Sequence, residues 1–155
     1  MIKKILMVCL GNICRSPLAE GILQSKLSSD SFIIDSAGTS GHHVGELPDE
    51  RSIEVASKND IDITHQRSRK FMKSDFKEFD LIFAMDESNY SNIVSLAESE
   101  KDAKKVKLIL NEVYPLSNKS VPDPYYGGNQ GFDNVYKMLD EACEVIALKL
   151  KNNER

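Results

Sequence analysis

The sequence predicts an α/β fold: a single doubly wound domain over residues 1–155, with a parallel sheet covered by helices on both faces. Three observations carry this. Short, continuous apolar runs of strand length recur along the chain, segments with helical periodicity separate them, and no internal repeat, low-complexity tract or Pro/Gly-rich linker divides the whole. Continuous apolar runs mark strands buried on both faces, and their alternation with helices makes the sheet parallel. A chain of 155 residues suits one domain with a core of its own.

Taken in order, Ile5 to Cys9 is the first strand. Ser16-Pro17 opens the first helix, with serine as N-cap and proline at the first helical position. Leu18, Ile22 and Leu23 carry helical spacing to about Leu27. Phe32 to Ile34 is the second strand, closing at Ser36-Ala37-Gly38. A helix follows from Asp49, with Ile53, Val55 and Ala56. Asp80 to Met85 is the third strand, with a helix after Asp86, and Val106 to Leu110 is the fourth. A long loop carries VPDPYYGG. The last helix has a stripe of Val135, Met138, Leu139, Ala142, Val145, Ile146 and Leu150, and Cys143 falls on it as a packing residue. In sheets of this kind ligands bind beyond the carboxyl ends of the strands, near a topological switch point. Cys9 stands at such an end.

Composition narrows the function. A net charge of −4 argues against a nucleic-acid footprint. The apolar run in MIKKILMVCLGN is too short for a signal peptide and is interrupted by Asn12 and Arg15, and no run reaches the length of a membrane span. Three cysteines cannot all pair within the chain, which favours a reducing, cytoplasmic compartment and reactive or packed thiols.

Two of those cysteines share one turn, VCLGNICRSP. Five residues separate Cys9 from Arg15, a Cys-x5-Arg pattern between a strand and a helix. A loop this short turns successive backbone N–H groups inward, and with the helix N-terminus they cradle a tetrahedral anion. The cradle comprises Leu10, Gly11, Asn12, Ile13, Cys14 and Ser16. Gly11 permits the tight path and Asn12 tolerates a left-handed conformation. Arg15 grips two anion oxygens with its planar fork. The same field favours a thiolate on Cys9, to which Ser16 donates a hydrogen bond. Cysteine as nucleophile beside its own anionic target is the chemistry this pattern points to.

With these residues the sequence resembles the low-molecular-weight protein tyrosine phosphatases. The resemblance rests on VCLGNICRSP (Val8–Pro17), DSAG (Asp35–Gly38), AMDESN (Ala84–Asn89) and DPYYGG (Asp123–Gly128), and spans essentially the whole chain in family order. It implies a four-stranded parallel sheet of order 2-1-3-4, hydrolysis of phosphotyrosine through a phosphocysteine on Cys9, and no metal or other cofactor.

Such a reaction needs a proton for the leaving phenolate and then a base for water. Asp123 suits both, held between Pro122 and Pro124, which restrict the backbone. By resemblance it is the general acid. Tyr125 and Tyr126 form one wall of a deep slot that phosphoserine is too short to use. The facing wall comes from the Ser40–Val44 loop, where many relatives carry a large aromatic and this chain has His42-His43, with His42 expected in the pocket. The paired histidines lack companion ligand spacing, so no metal is expected there. Resemblance also places His65 in a network with Asn12 and Ser36 that supports the loop, and pairs Cys14 with Cys9 as a redox partner. Arg67, Arg69 and Lys70 are expected to form a solvated basic patch.

Three rivals share parts of this pattern. An arsenate reductase on the same scaffold needs a downstream redox cysteine pair, and no cysteine lies between Cys14 and Cys143. A non-catalytic phosphate-binding module would lack the cysteine or the acid, and both are present. A flavodoxin-like or receiver domain fits the fold, but receivers need clustered acids where this strand ends in Cys9. The partners expected are phosphotyrosine proteins, by analogy a bacterial tyrosine kinase among them, acted on by a monomer or weak dimer.

Overall fold

A computed structural model of the chain describes residues 2–152, with residues 126, 128 and 129 described by their backbone alone. In chain order the elements are β1 (Lys3–Cys9), α1 (Arg15–Lys26), β2 (Phe32–Gly38), α2 (Glu50–Lys58), α3 (Asp75–Glu78), β3 (Leu81–Ala84), α4 (Glu87–Val94), α5 (Glu100–Lys104), β4 (Val106–Leu108) and α6 (Gly128–Lys151). The strands form one parallel sheet in the order β2-β1-β3-β4, as expected. Chain progression reverses between β1 and β3, so the switch point lies just beyond Cys9 and Ala84.

β1 reads as a continuous apolar run because both its faces are covered. Ile5, Met7 and Cys9 join a core with Leu18 and Ile22 of α1 and Val135, Leu139 and Ile146 of α6. Leu6 and Val8 face the opposite way, toward Phe71, Phe76 and Ile93. Cys143 is fully buried in the first core, its Sγ 3.8 Å from the Ala19 carbonyl, in keeping with a packing role.

The boundaries differ from expectation where polar residues find unforeseen partners. Asp35 and Ser36 do not end β2, because Asp35 pairs with Arg69 and Ser36 with Asn12 and Glu20. β4 stops at Leu108, and Ile109–Glu112 forms a 3-10 turn that carries Ile109 and Leu110 over to the first core. Ser16 is not the N-cap of α1. The helix begins at Arg15, with Cys14 at the cap position and no side-chain cap, and the Ser16 hydroxyl is engaged elsewhere. Pro17, at the third helical position, still replaces an N–H that has no intrahelical acceptor. Met138 stands exposed at the flank of α6 beside Leu110 and Tyr114 rather than on the buried stripe. Asp49 and Asp86 do cap α2 and α4, accepting from the N–H groups of Arg51 and Asn89, an arrangement worth about 1 kcal/mol each.

α1 is buried from Arg15 to Leu23 without interruption, polar residues included. Buried polar groups need partners. Glu20 has them: its Oε1 accepts from Ser36 Oγ at 2.6 Å and its Oε2 from Gln24 Nε2 at 3.2 Å. Burial nevertheless outweighs these bonds and pushes its carboxyl up from 4.5 to about 7. The folded chain then holds a proton that the unfolded chain releases. Stability therefore falls as pH rises from about 4.5 to about 7, by roughly 3 kcal/mol at most. Thermal unfolding followed from pH 5 to 7.5 should show this decline in the natural chain and a flatter curve for Glu20→Gln; parallel curves would contradict the assignment.

Candidate active site

The 9–15 loop at the end of β1 is shaped by where its carbonyls go. Those of Cys9 and Leu10 accept from the N–H groups of Thr39 and Ser40, both at 2.9 Å. That of Gly11 accepts from Ser68 Oγ at 3.0 Å, that of Ile13 from Asp49 N at 2.7 Å, and that of Cys14 from Ser52 Oγ at 3.3 Å. Among the described residues the N–H groups of Gly11 to Cys14 have no protein acceptor. Carbonyls tied outward leave these amides for the concave side. Asn12 makes the reversal possible with φ +57°, in the left-handed region that asparagine tolerates. Gly38, paired with Cys9 across the sheet, lets the loop approach: a Cβ there would lie 2.7 Å from the Leu10 carbonyl oxygen.

Cys9 is buried, and its Sγ lies 3.0 Å from Ser16 Oγ. Asn12 Nδ2 donates to Ser16 Oγ at 2.8 Å and to Ser36 Oγ at 2.9 Å, and Asn12 Oδ1 accepts from Arg69 N at 3.0 Å. Arg15 is 4% exposed. Its Nη1 donates to Asp86 Oδ2 at 2.7 Å and to the Val121 carbonyl at 2.9 Å. Asp86 follows β3 and Val121 precedes the Asp123 loop, so this guanidinium joins three segments at the switch point. Its Nε and Nη2 edge has no protein acceptor among the described residues.

Asp123 is exposed and caps a 3-10 turn at Pro124–Tyr126, its Oδ1 accepting from Tyr125 N at 3.0 Å. Val121 ties this loop to the site, since its N–H also donates to the Met85 carbonyl at 2.8 Å. Burial, then the charges of Asp49, Cys9 and Asp123, push the Cys14 thiol up to about 12. Cys14 and Cys9 are both free and buried. Tyr125 is exposed and stacks on Arg51, whose guanidinium carbon lies 5.2 Å from its ring centre and 4.6 Å from that of Phe132. The Tyr126 side chain lies outside the described residues.

Three expected positions need correction. His65 is exposed and bonds to neither Asn12 nor Ser36; the turn Asp62–Thr64 sets the chain so that the next residue, Gln66, points inward, its Nε2 on the Pro17 carbonyl at 3.1 Å. His42 is exposed, and it is His43 that lies beside the loop. His43 packs 3.0 Å from where a Cβ on Gly11 would lie, with Nδ1 2.9 Å from Glu46 Oε2. Arg69 is half-buried rather than part of a freely solvated patch: it ion-pairs with Asp35 and Asp75. Asp86, Ser68 and Glu20 were missed as site residues. Asp86 was legible as a helix start, and an acid at the carboxyl end of a central strand, facing the Cys-x5-Arg cation, was the available signal.

The chain matches the family described as "Low molecular weight phosphotyrosine protein phosphatase" over residues 4–155. It is 45% identical over 141 residues to the low molecular weight phosphotyrosine protein phosphatase of Schizosaccharomyces pombe, a match covering 88% of this chain and 89% of that one. The crystal structure of a protein tyrosine phosphatase from Entamoeba histolytica, with Hepes in its active site, is similar with a TM-score of 0.91 and 38% identity, over 99% of each chain. The tyrosine phosphatase Wzb from Escherichia coli K30, in complex with sulphate, is similar with a TM-score of 0.84 and 35% identity, over 97% of this chain and 99% of that one. Likeness of this extent in sequence and in fold, around a cysteine that ends the first strand, leaves one conclusion: the chain belongs to the low molecular weight phosphotyrosine protein phosphatases, a family of enzymes whose catalysis is cysteine-based.

Proposed function

We propose that this chain hydrolyses protein phosphotyrosine, and small aryl phosphates, by way of a phosphocysteine on Cys9. The observation that carries the reading is the 9–15 loop, with its carbonyls bonded outward and a buried arginine at its end. The amides of Leu10 to Cys14, the Ser16 region and the free edge of Arg15 hold the phosphoryl oxygens, and Asp86 fixes the other edge of that guanidinium. The sulphate in the Wzb structure fits the same anion chemistry.

In the first step the Cys9 thiolate attacks phosphorus, the P–O bond to the phenol breaks, and Asp123 gives its proton to the leaving oxygen. In the second, Asp123 takes a proton from water, the hydroxide attacks the phosphocysteine, and the S–P bond breaks to release inorganic phosphate. The Ser16 hydroxyl, 3.0 Å from Sγ, donates to the sulfur as it departs. Tyr125 lines one side of the slot and His43 the other, and this depth selects phosphotyrosine over phosphoserine. Residues 1–155 act as one domain, as a monomer or weak dimer, in the cytoplasm, where three free thiols stay reduced. No described helix is long and apolar enough to cross a membrane. Phosphotyrosine-bearing proteins, a bacterial tyrosine kinase among them, are the substrates. An arsenate relay is disfavoured because Cys143 is fully buried beneath α1.

Hydrolysis of p-nitrophenyl phosphate tests this reading. It should proceed in the presence of a chelator, vanish in Cys9→Ser, and fall steeply in Arg15→Lys, where charge is kept and the fork is lost. Asp123→Asn should lose about 10²–10⁴-fold for leaving groups of high pKa and much less for nitrophenolate. Activity in Cys9→Ser would overturn the assignment.

Peroxide should inactivate the enzyme reversibly. It oxidises the Cys9 thiolate to a sulfenic acid, and the Cys14 thiol condenses with it, forming an S–S bond and releasing water. A dithiol should restore activity in the natural chain and fail to do so in Cys14→Ser. Mass spectrometry showing Cys9 over-oxidised with Cys14 still free in the natural chain would refute the protective role.

A further inference from the structure

The hydrogen bonds that begin at Cys9 run through the loop and end at a carboxyl group in the core. Their direction follows from donor and acceptor chemistry. Asn12 Oδ1 faces the N–H of Arg69, which can only donate, so the amide is fixed with Nδ2 toward the two serines. Both Nδ2 hydrogens are used, one on Ser16 Oγ and one on Ser36 Oγ. Each serine is thus an acceptor toward Asn12 and has its own proton to place. Ser36 gives its proton to Glu20 Oε1 at 2.6 Å. Ser16 has Cys9 Sγ at 3.0 Å, against 3.5 Å to the Ala37 carbonyl. Cys9, Asn12, Ser16, Ser36 and Glu20 are all buried, so water does not compete.

The chain has one alternative state. If the Asn12 amide turned over, giving up the bond it accepts from the Arg69 N–H, its Oδ1 would accept from both serines at once, and Ser16 would lose the proton it offers to sulfur. What holds the Ser36 proton away from Asn12 is Glu20. We propose that Glu20 is a positioning residue of this phosphatase: by accepting the Ser36 hydroxyl it locks the Asn12 amide, and so aims the Ser16 proton at Cys9. The inference rests on Cys9 being the nucleophile. Glu20 is steadied by Gln24 Nε2, and of the charged groups around it Asp35 on β2 opposes its ionisation and Arg69 favours it. On α6, which packs against α1, Asp140 and Glu144 are held by Lys26. A protonated Glu20 still accepts on its carbonyl oxygen, which makes glutamine the conservative replacement.

The test is alkylation of Cys9 by iodoacetamide across pH, read by mass spectrometry on its peptide, together with kcat and KM for p-nitrophenyl phosphate. Glu20→Ala, verified as folded by circular dichroism, should move the alkylation profile to higher pH by about 0.5–1 unit and lower kcat about three- to ten-fold with little change in KM, the worth of one hydrogen bond. Glu20→Gln should stay near the natural profile. Glu20→Ala should add nothing further in a Ser36→Ala background, since the chain is already cut. A carboxylate acting on Cys9 through charge alone gives the opposite sign, because its removal eases ionisation of the thiol. A shift to lower pH, a profile unchanged in folded Glu20→Ala, a glutamine variant that behaves like alanine, or losses that simply add would each overturn the proposal. Activity persisting in Cys9→Ser would instead overturn the phosphatase assignment itself.

Discussion

A backbone can hold an anion only if its carbonyl oxygens are occupied elsewhere. Here five carbonyls of a six-residue stretch are bonded outward, to donors from three separate places: the strand end at Thr39 and Ser40, Asp49 and Ser52 at the start of α2, and Ser68 in the loop that follows. The rest of the architecture can be read as the means of bringing those donors together. β2 must run beside β1 to present Thr39, with glycine at position 38 because a side chain there meets the loop itself. α2 must begin next to Ile13 and Cys14, which is why its cap residue, Asp49, has both a side-chain duty to the helix and a backbone duty to the loop. No single bond in this set exceeds the modest net worth of a hydrogen bond in water, about 1 kcal/mol. Together they fix a shape that an isolated loop would not keep.

The second constraint is charge under the sheet edge. A buried arginine costs several kcal/mol unless it is paired. Arg15 is paired on one edge only, by Asp86 and a carbonyl, and a doubly charged phosphoryl group completes it in the proposed reaction. An arginine satisfied on both edges would be more stable and would bind nothing. The same compromise appears in Glu20, which is kept in the core at a cost to stability near neutral pH. Natural sequences tolerate such departures where a site requires them, and both lie in the first two turns of α1, the helix that follows Cys9.

What the sequence made legible was local. β1, the Cys-x5-Arg loop and α1 are contiguous, and the glycine, asparagine, arginine and serine in that stretch each have a reason that needs no tertiary contact. The parallel sheet followed from apolar runs whose two faces are covered alike, and its order from the family resemblance. What was hidden lies in loops, where no periodicity says which of two neighbours points inward. His42 and His43 exchange places for this reason, as do His65 and Gln66. Asp86 was hidden differently. A helix-capping aspartate looks the same whether its second oxygen faces water or an arginine, and here Oδ1 serves the cap while Oδ2 serves Arg15. Ser16 deceived in the opposite sense: a serine before a proline is a good cap by composition, yet its hydroxyl is taken by Asn12 and Cys9.

The proposed acid, Asp123, and the proposed nucleophile, Cys9, come from opposite ends of the chain, and nothing in the sheet joins them directly. They meet through shared groups. Val121 donates to Met85 at the end of β3 and accepts from Arg15, two residues before Asp123. On the other side Arg51 lies between the rings of Tyr125 and Phe132 and is held by the carboxylate of Asp49, whose own N–H grips the carbonyl of Ile13. The contact of a cation with an exposed ring such as that of Tyr125 is worth only about 0.5–1 kcal/mol. That is enough to bias a loop and too little to immobilise it. Asp123 itself stays exposed, with one oxygen on the Tyr125 amide and the other open to solvent. A group that must give a proton to the leaving phenolate and take one from water in every cycle needs that exposure. A firm anchor at Val121 and a weaker one at Arg51 around a wet carboxylate therefore suit the proposed role better than a buried acid would.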